Sequence, residues 1–214
     1  MSTMNSIFPH LIAVAAATAV FTGCSFLKPA TSTARFFVLT PLASTGAVAA
    51  ASSASLALGV GKVKLPDYLF NTSLAVRKGA SEIEYSPSIL WAERLDTGFQ
   101  RVLAANLANV LATDRVQLST WQSAAVSAEV YVTIEQFDVD SAGRGVLVAR
   151  WRLLAPGGDK PLAAGETRLT RAGPPPGSDP AGAVATLSGL LEEMSRQLAQ
   201  TIRSAGALPH AVSK

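Results

Sequence analysis

The sequence Val-Tyr-Val-Thr-Ile-Glu at residues 130–135 alternates apolar with polar side chains. A period of two is typical of a strand with one buried face and one wet face. A turn at residues 141–145 leads into a second apolar stretch at 146–154, and Pro-Gly-Gly-Asp at 156–159 leads into a third at 162–170. Short connections of this kind join neighbouring antiparallel strands, so residues 130–170 predict an antiparallel meander.

An amphipathic helix is predicted before this meander. Apolar residues recur at steps of three and four between Leu95 and Leu111, as expected for the buried stripe of a helix. The helix is predicted to begin between Ser86 and Arg94 and to end near Thr113. The polar residues that lie mostly off this stripe are Asp96, Gln100, Arg101, Asn106 and Asn109.

A second helix is predicted after the meander. Asp179 is a residue type that caps helix N-termini, and Pro180 suits the first helical position. Gly206 is expected to end the helix, because glycine is common just beyond a C-terminus. The apolar stripe of this helix comprises Val184, Leu187, Leu191, Met194, Leu198 and Ile202.

Shorter strands complete the predicted sheet, at residues 35–39, 56–65, 74–77, 82–85 and 116–118. In the strand at 56–65, Gly59 and Gly61 leave one face nearly bare. Helices with a single apolar stripe need a surface to cover. The sequence therefore predicts an α+β fold, a two-layer domain in which two long helices pack on one face of an antiparallel sheet.

The composition excludes several kinds of chemistry. The 214 residues include one cysteine, Cys24, so no intramolecular disulfide can form. Of the two histidines, only His210 remains if the leader is removed, which leaves no histidine-based triad, Cys–His pair or Cys/His zinc site. The 18 basic residues are scattered, and no run of them would follow a nucleic-acid backbone. We therefore predict no catalytic residue, no metal and no nucleic-acid partner.

The first 23 residues are typical of an export signal. Residues 8–21 are almost continuously apolar, but a membrane-spanning helix needs about 20 apolar residues. The segment ends in Thr22-Gly23-Cys24, which resembles the lipobox of bacterial lipoproteins, where the cysteine thiol accepts a diacylglyceryl group. Cys24 is therefore the predicted lipid-attachment site, and no cofactor other than this covalent lipid is predicted. The alternative is an incidental cysteine after an uncleaved helix.

The predicted organisation follows from this leader. We expect a signal peptide at residues 1–23, a tether at 24–34, a folded domain at 35–206 and a C-terminal tail at 207–214. Ser25 follows the predicted lipid-bearing residue. In enteric bacteria an Asp there often signals retention in the inner membrane, so resemblance to those sorting rules favours the outer membrane.

Two short aromatic segments are candidate interaction surfaces. Tyr68 and Phe70 follow a turn at Pro66-Asp67, and they are either a docking loop for a partner or lipid, or core residues that fold back. Trp91, in Trp-Ala-Glu-Arg at 91–94, is either part of an interface patch or a plug in the core near the start of the helix.

The chain carries an ordered set of motifs. They are Arg-Phe-Phe-Val-Leu at 35–39, Val-Gly-Lys-Val-Lys-Leu-Pro-Asp-Tyr-Leu at 60–69, Leu-Trp-Ala-Glu-Arg-Leu at 90–95 and Asn-Leu-Ala at 106–108, together with the Cys24 lipobox. This set resembles the auxiliary lipoproteins of ABC-type lipid transport, the group typified by paraquat-inducible protein C. The group often has Arg or Asp-Arg where Phe70-Asn71 stand here, which changes any charge interaction made by that loop.

The resemblance implies a non-catalytic role in the cell envelope. Proteins of this group look like outer-membrane-anchored, periplasmic partners of a tunnel built from mammalian-cell-entry (MCE) domains, which works with an inner-membrane permease to carry phospholipid and contributes to envelope integrity. The implied partners are the tunnel protein, the permease, the membrane, phospholipid and a second copy of the chain. Two alternatives stay open, another outer-membrane adaptor for envelope or surface-polymer assembly, and a periplasmic hydrolase that uses Ser, Lys or carboxylates.

Replacing Cys24 tests the predicted anchor. We expect the Cys24→Ser chain to accumulate as a soluble protein or an uncleaved precursor, because serine offers no thiolate for lipid transfer. Metabolic labelling with a fatty-acid analogue measures this directly, with the wild-type chain as the labelled control. Label retained on Cys24→Ser would contradict the assignment.

Overall fold

The computed structural model describes residues 33–43 and 56–205, and within these ranges the chain forms eight strands and two α-helices. The strands are β1 (Arg35–Phe37), β2 (Leu58–Val60), β3 (Ser73–Arg77), β4 (Ile83–Trp91), β5 (Val116–Leu118), β6 (Ala128–Asp140), β7 (Gly145–Leu154) and β8 (Pro161–Arg171), and the helices are α1 (Leu95–Leu111) and α2 (Pro180–Ser204). Single 3-10 turns lie at Asp67–Phe70 and Ser123–Ala125. The predicted leader, Cys24 and the C-terminal tail lie outside the described residues.

The predicted meander is confirmed. β6 pairs antiparallel with β7, and β7 pairs antiparallel with β8. Val130, Val132 and Ile134 are buried, as their alternation predicts. The β6–β7 register shifts between Ile134 and Gln136, and this bulge adds one residue to β6. Because the extra residue resets the alternation, Phe137 and Val139 again face the core, and both are at most 1% exposed.

The sheet is mixed, which corrects the expectation of a wholly antiparallel one. Residues 58–77 follow the other edge of β6 and run parallel to it at three places. β2 pairs with residues 128–130, Lys64 bridges to Thr133, and the end of β3 pairs with residues 139–140. β1 is likewise parallel to β4, and β2 to β5. Parallel strands need a long crossover, which from β2 and β3 to β6 includes α1, so no turn in the sequence predicts these pairs.

β4 and α1 also differ from the expected boundaries. The strand predicted at 82–85 runs to Trp91. Pro87 lies where the β3–β4 register shifts, and its missing N–H costs no ladder hydrogen bond at that position. Consequently α1 begins at Leu95, one residue after the predicted range, and it ends as expected near Thr113 with Ala112 in the left-handed conformation. Trp91 is buried, but it ends a strand rather than starting the helix.

Both helices cover the same face of the sheet, so the predicted two-layer α+β fold is confirmed. Phe99 of α1 packs edge-on against Phe137 of β6, with ring centroids 5.2 Å apart. α2 lies against β6, β7 and β8 and against α1. Its N-cap is the predicted Asp179, whose side chain accepts a hydrogen bond from the Gly182 amide at 2.9 Å. The residues of its predicted apolar stripe are all buried.

Two polar residues of α1, predicted off the apolar stripe, are nevertheless buried. The Gln100 amide donates to the carbonyl oxygens of Val60 and Gly61, at 2.8 and 3.0 Å. The Asn106 carbonyl accepts from the Leu42 amide at 2.8 Å, and its NH₂ donates to the Ser195 hydroxyl of α2 at 3.3 Å. The buried polar groups of both side chains are thus paired, which makes their burial tolerable.

Candidate ligand-binding groove and aromatic loop

The two aromatics of the predicted docking loop have different environments. Pro66 precedes the 3-10 turn, which buries Leu69 and contacts α1. Tyr68 is half-buried against the core, and its hydroxyl donates to Asp138 Oδ2 at 2.9 Å. Phe70 is 48% exposed. Of the two hypotheses, the one in which the aromatic residue folds back onto the core describes Tyr68. The Phe70 ring remains accessible to solvent.

A buried carboxylate holds this loop, and sequence reasoning missed it. Asp138 of β6 is 1% exposed, and it accepts hydrogen bonds from Arg77, Tyr68 and Gln136. Arg77 Nη2 approaches Oδ2 to 2.7 Å, and Gln136 Nε2 approaches Oδ1 to 2.9 Å. A charge this deeply buried persists only when its lone pairs are matched by donors. The cluster thereby joins the 3-10 turn, β3 and β6.

The same cluster changes the acidity of Tyr68. Burial, followed by the charge of Asp138 and the hydrogen bond to it, raises the pKa of Tyr68 from 10.0 to about 12. Each of these causes disfavours a phenolate beside a carboxylate in a poorly hydrated place. The hydroxyl therefore stays protonated as a donor at neutral pH.

Phe70 stands at a small charged surface. The Arg94 guanidinium lies 5.4 Å from the centre of its ring, and Arg94 also pairs with Asp96 at 2.9 Å. The hydrogen bond from Arg94 is the main cause that lowers the pKa of Asp96. Phe70 borders two depressions, one of about 240 Å³ next to Trp91 and one of about 720 Å³ that reaches Lys62 and Lys64.

A groove of about 720 Å³ also lies on the helix-free face of the sheet. We call it the open-face groove, and it is lined by Gly61, Lys62, Lys64, Ser119, Tyr131, Val132, Thr133, Glu135, Arg150, Trp151, Arg152, Ala164 and Gly165. One side of the groove is formed at the strand face that Gly59 and Gly61 were predicted to leave nearly bare. A Cβ on Gly61 would lie 2.6 Å from Tyr131 Cδ1, so the tyrosine ring rests directly on the backbone there. Trp121 covers Gly59 in the same way.

A second buried carboxylate fixes these aromatics. Glu129 is 3% exposed and accepts from the Trp121 indole at 3.0 Å, the Tyr131 hydroxyl at 3.0 Å and the Gly157 amide at 2.9 Å. Burial alone would raise the pKa of Glu129, but these hydrogen bonds, with that from Trp121 the strongest, hold it below its ordinary value. The carboxylate is therefore charged at neutral pH and ties the β7–β8 turn to the end of the groove.

The lining of the open-face groove is strongly cationic. It contains four basic side chains and a single carboxylate, Glu135, which pairs with Arg150 at 2.9 Å. Among residues 33–43 and 56–205, the other three basic side chains, Lys62, Lys64 and Arg152, form no ion pair. A concave site of one charge sign concentrates ligands of the opposite sign. The arrangement suits an anionic group.

The described residues hold no group of three or more His, Cys, Asp or Glu side chains positioned for a metal ion. None of the helices in this part of the chain has the length and apolar character required to cross a bilayer.

Fold and groove together define a small α+β domain whose helices cover one sheet face and whose other face carries a basic groove. A family model described as ABC-type transport auxiliary lipoprotein component matches residues 37–199. The chain belongs to this family, which confirms the resemblance seen in its motifs. No curated protein matched the sequence.

Solved structures share the fold. A protein described only as uncharacterized superposes with a TM-score of 0.64 at 22% identity, covering 78% of this chain and 97% of its own. A protein of the DUF330 family from Xanthomonas campestris superposes with a TM-score of 0.66 at 15% identity, covering 81% of this chain and 97% of its own. At these identities the likeness concerns the fold alone.

Removing the Asp138 carboxylate should destabilise the domain. Asp138→Ala leaves the Arg77 guanidinium and the Tyr68 hydroxyl without their acceptor, and we expect a loss of about 3 kcal/mol in the free energy of unfolding. This loss is at the low end of the range for breaking a buried ion pair, because the Arg77 side chain is 24% exposed. Urea denaturation measures the change. Glu166→Ala, which removes an exposed pair with Arg168, is the matched control and should cost at most about 1 kcal/mol.

The alkaline limit of stability should depend on Tyr68. Its pKa is higher in the folded chain than the ordinary 10.0, so its contribution is complete below pH 10 and is lost as the pH rises toward about 12. Phenolate absorbance followed through an alkaline titration should show one tyrosine ionising near that upper value. Tyr68→Phe should remove this step, and Tyr85→Phe should keep it. Burial and the hydrogen bond to Glu129 raise the pKa of Tyr131 as well, so these titrations are run in a Tyr131→Phe background, and a step near pH 12 that survives Tyr68→Phe there would contradict the assignment.

Proposed function

We propose that this chain is the non-catalytic auxiliary subunit of an MCE-type ABC system for phospholipid transport, anchored to the outer membrane through Cys24 and facing the periplasm. The observation that carries the proposal is the family match over residues 37–199, which spans the domain from β1 into α2. An auxiliary component acts through another protein, so the ATPase and the permease would be separate chains. The role requires no turnover of its own.

The predicted anchor constrains how such a subunit works. Ten residues, 25–34, separate Cys24 from β1. Fully extended, they reach about 35 Å, so the domain stays close to the membrane that holds its lipid. In this proposal the subunit is a fixed docking point, and the periplasm-spanning partner has to reach it. Three acyl chains, as bacterial lipoproteins typically carry, would make this anchor stable.

The surface around Phe70 is the proposed docking site for that partner. The ring is exposed, Arg94 lies over it, and the depression on each side can receive a partner side chain. Aromatic and arginine side chains are enriched among the residues that dominate binding energies. Tyr68 contributes differently from its sequence-predicted role, because its hydroxyl fixes the loop through Asp138. We therefore keep Phe70 as the contact residue and treat Tyr68 as its support.

Substitution of Phe70 tests the docking site. We expect Phe70→Asp to fold normally and to reduce co-purification with the tunnel protein at least tenfold, because a carboxylate cannot replace an aromatic anchor at a desolvated contact. The experiment is affinity purification of the membrane-bound full chain, with partners identified by mass spectrometry and thermal melts run on each variant. Phe36→Asp is the matched control, since Phe36 is also exposed, at 65%, but lies on β1.

The outcomes separate the parts of the proposal. Loss of the partner with Phe70→Asp alone supports the docking surface. Loss of the partner with Phe36→Asp alone would indicate that the interface lies on β1. Recovery of a polymer-assembly complex, with no MCE-domain protein in the wild-type sample, would contradict the transport role.

A further inference from the structure

We propose that the open-face groove is a binding site for an anionic phospholipid, with the phosphate held among Lys62, Lys64 and Arg152 and the glycerol and upper acyl segments lying along Tyr131. The inference rests on the proposed role in phospholipid transport and assigns a site to that ligand on this chain. The groove adjoins the Phe70 surface, because Lys62 and Lys64 also line a depression that Phe70 borders, and we assign the groove to the lipid and the Phe70 ring to the partner protein.

The charges of the groove select the headgroup. Glu135 is satisfied by Arg150, and Glu129 is satisfied by three donors, so neither carboxylate is left to neutralise the remaining cations. Lys62 and Lys64 point from a segment next to β6, and Arg152 comes from β7 on the other side of it. A phosphate placed between them would be approached from both sides of Tyr131 and Thr133. Charge-assisted hydrogen bonds of this kind are about twice as strong as neutral ones.

The aromatic and aliphatic floor of the groove favours an amphiphile over a free anion. The Tyr131 hydroxyl is occupied by Glu129, which leaves the ring as the accessible part of that side chain. Ala164 of β8 lies directly across from Arg152, so the cation borders a small apolar side chain. Cationic ends beside an aromatic and aliphatic floor match a phosphate linked to hydrocarbon.

The backbone beneath the groove argues against an extended peptide as the occupant. The Lys64 amide donates to the Val132 carbonyl at 3.1 Å, and the Ile134 amide donates to the Lys64 carbonyl at 2.8 Å. The Gly61 amide similarly donates to the Val130 carbonyl at 2.9 Å. These groups of Gly61 and Lys64 are thereby paired within the sheet and cannot pair with an added strand. The groove volume of about 720 Å³ instead falls within the range of small-molecule sites.

The test is native mass spectrometry of the full-length lipoprotein in a neutral detergent, incubated with phosphatidylglycerol, phosphatidylcholine or inorganic phosphate. We expect phosphatidylglycerol to be retained as a bound species well above phosphatidylcholine, whose quaternary ammonium offsets the phosphate charge. Inorganic phosphate should not be retained. The combined Lys62→Gln, Lys64→Gln and Arg152→Gln variant should lose at least tenfold in phosphatidylglycerol occupancy.

Two further variants distinguish a built site from general attraction to anions. Lys78→Gln, Lys160→Gln and Arg196→Gln together remove the same number of positive charges outside the groove lining, and this variant should retain the lipid. Thr133→Trp fills the groove while every cation remains, and it should lose the lipid. Equal loss in the charge-matched control, full retention by Thr133→Trp, or retention of phosphate alone would each overturn the proposal.

This experiment is independent of the partner assay. Loss of lipid from the groove variant with partner co-purification intact supports the site. If lipid occupancy does not change in the groove variant, the proposed site is wrong even when the partner is still recovered. If the partner is never recovered but the lipid binds as expected, the transport role fails and the site remains.

Discussion

The pairing of β6 along both of its edges is the constraint on which the rest of the structure depends. One edge carries β7, and the other carries, in turn, β2, the segment around Lys64 and the end of β3. The core face of β6 packs beneath the helices, and the bulge between Ile134 and Gln136 keeps Phe137 and Val139 on that face. Without this reset, the second half of the strand would turn its apolar side chains outward. The strand therefore fixes both the core and the groove.

Two buried carboxylates on β6 also fix side chains near the surface. Glu129, near one end of the strand, holds Trp121 and Tyr131, and Asp138, near the other end, holds Tyr68 and Arg77. Each carboxylate accepts at least three hydrogen bonds, which is what makes its burial tolerable. The open-face groove lies along the strand between these ends, and the Phe70 loop is held by one of them. The surfaces proposed to bind are thus positioned by a strand that is paired along both of its edges.

The family and the geometry support one picture of how this protein works. Its family is that of the auxiliary lipoproteins of ABC-type transport, whose name describes a membrane-attached helper rather than a motor. The domain has two adjoining surfaces suited to such a role, an aromatic one around Phe70 and a basic one in the open-face groove. The proposed division assigns the first to the partner protein and the second to the lipid. A subunit that contacts both would bring cargo and tunnel together at the membrane.

The sequence by itself determined the features that repeat with a local period. The alternation at residues 130–135 predicted the meander, the stripes of α1 and α2 predicted a one-sided helical layer, and Asp179 predicted an N-cap, because each signal comes from neighbours along the chain. Only the tertiary structure decided the parallel pairing of residues 58–77 with β6, the burial of Asp138 and the assembly of the groove. Asp138 in the sequence is an ordinary polar residue, and its burial depends on Arg77, 61 positions away. The groove collects side chains from five separate segments, around residues 62, 119, 132, 151 and 164. Contacts between distant segments produce no periodic pattern. The sequence therefore predicted the meander and the helical layer, but it did not predict the basic site.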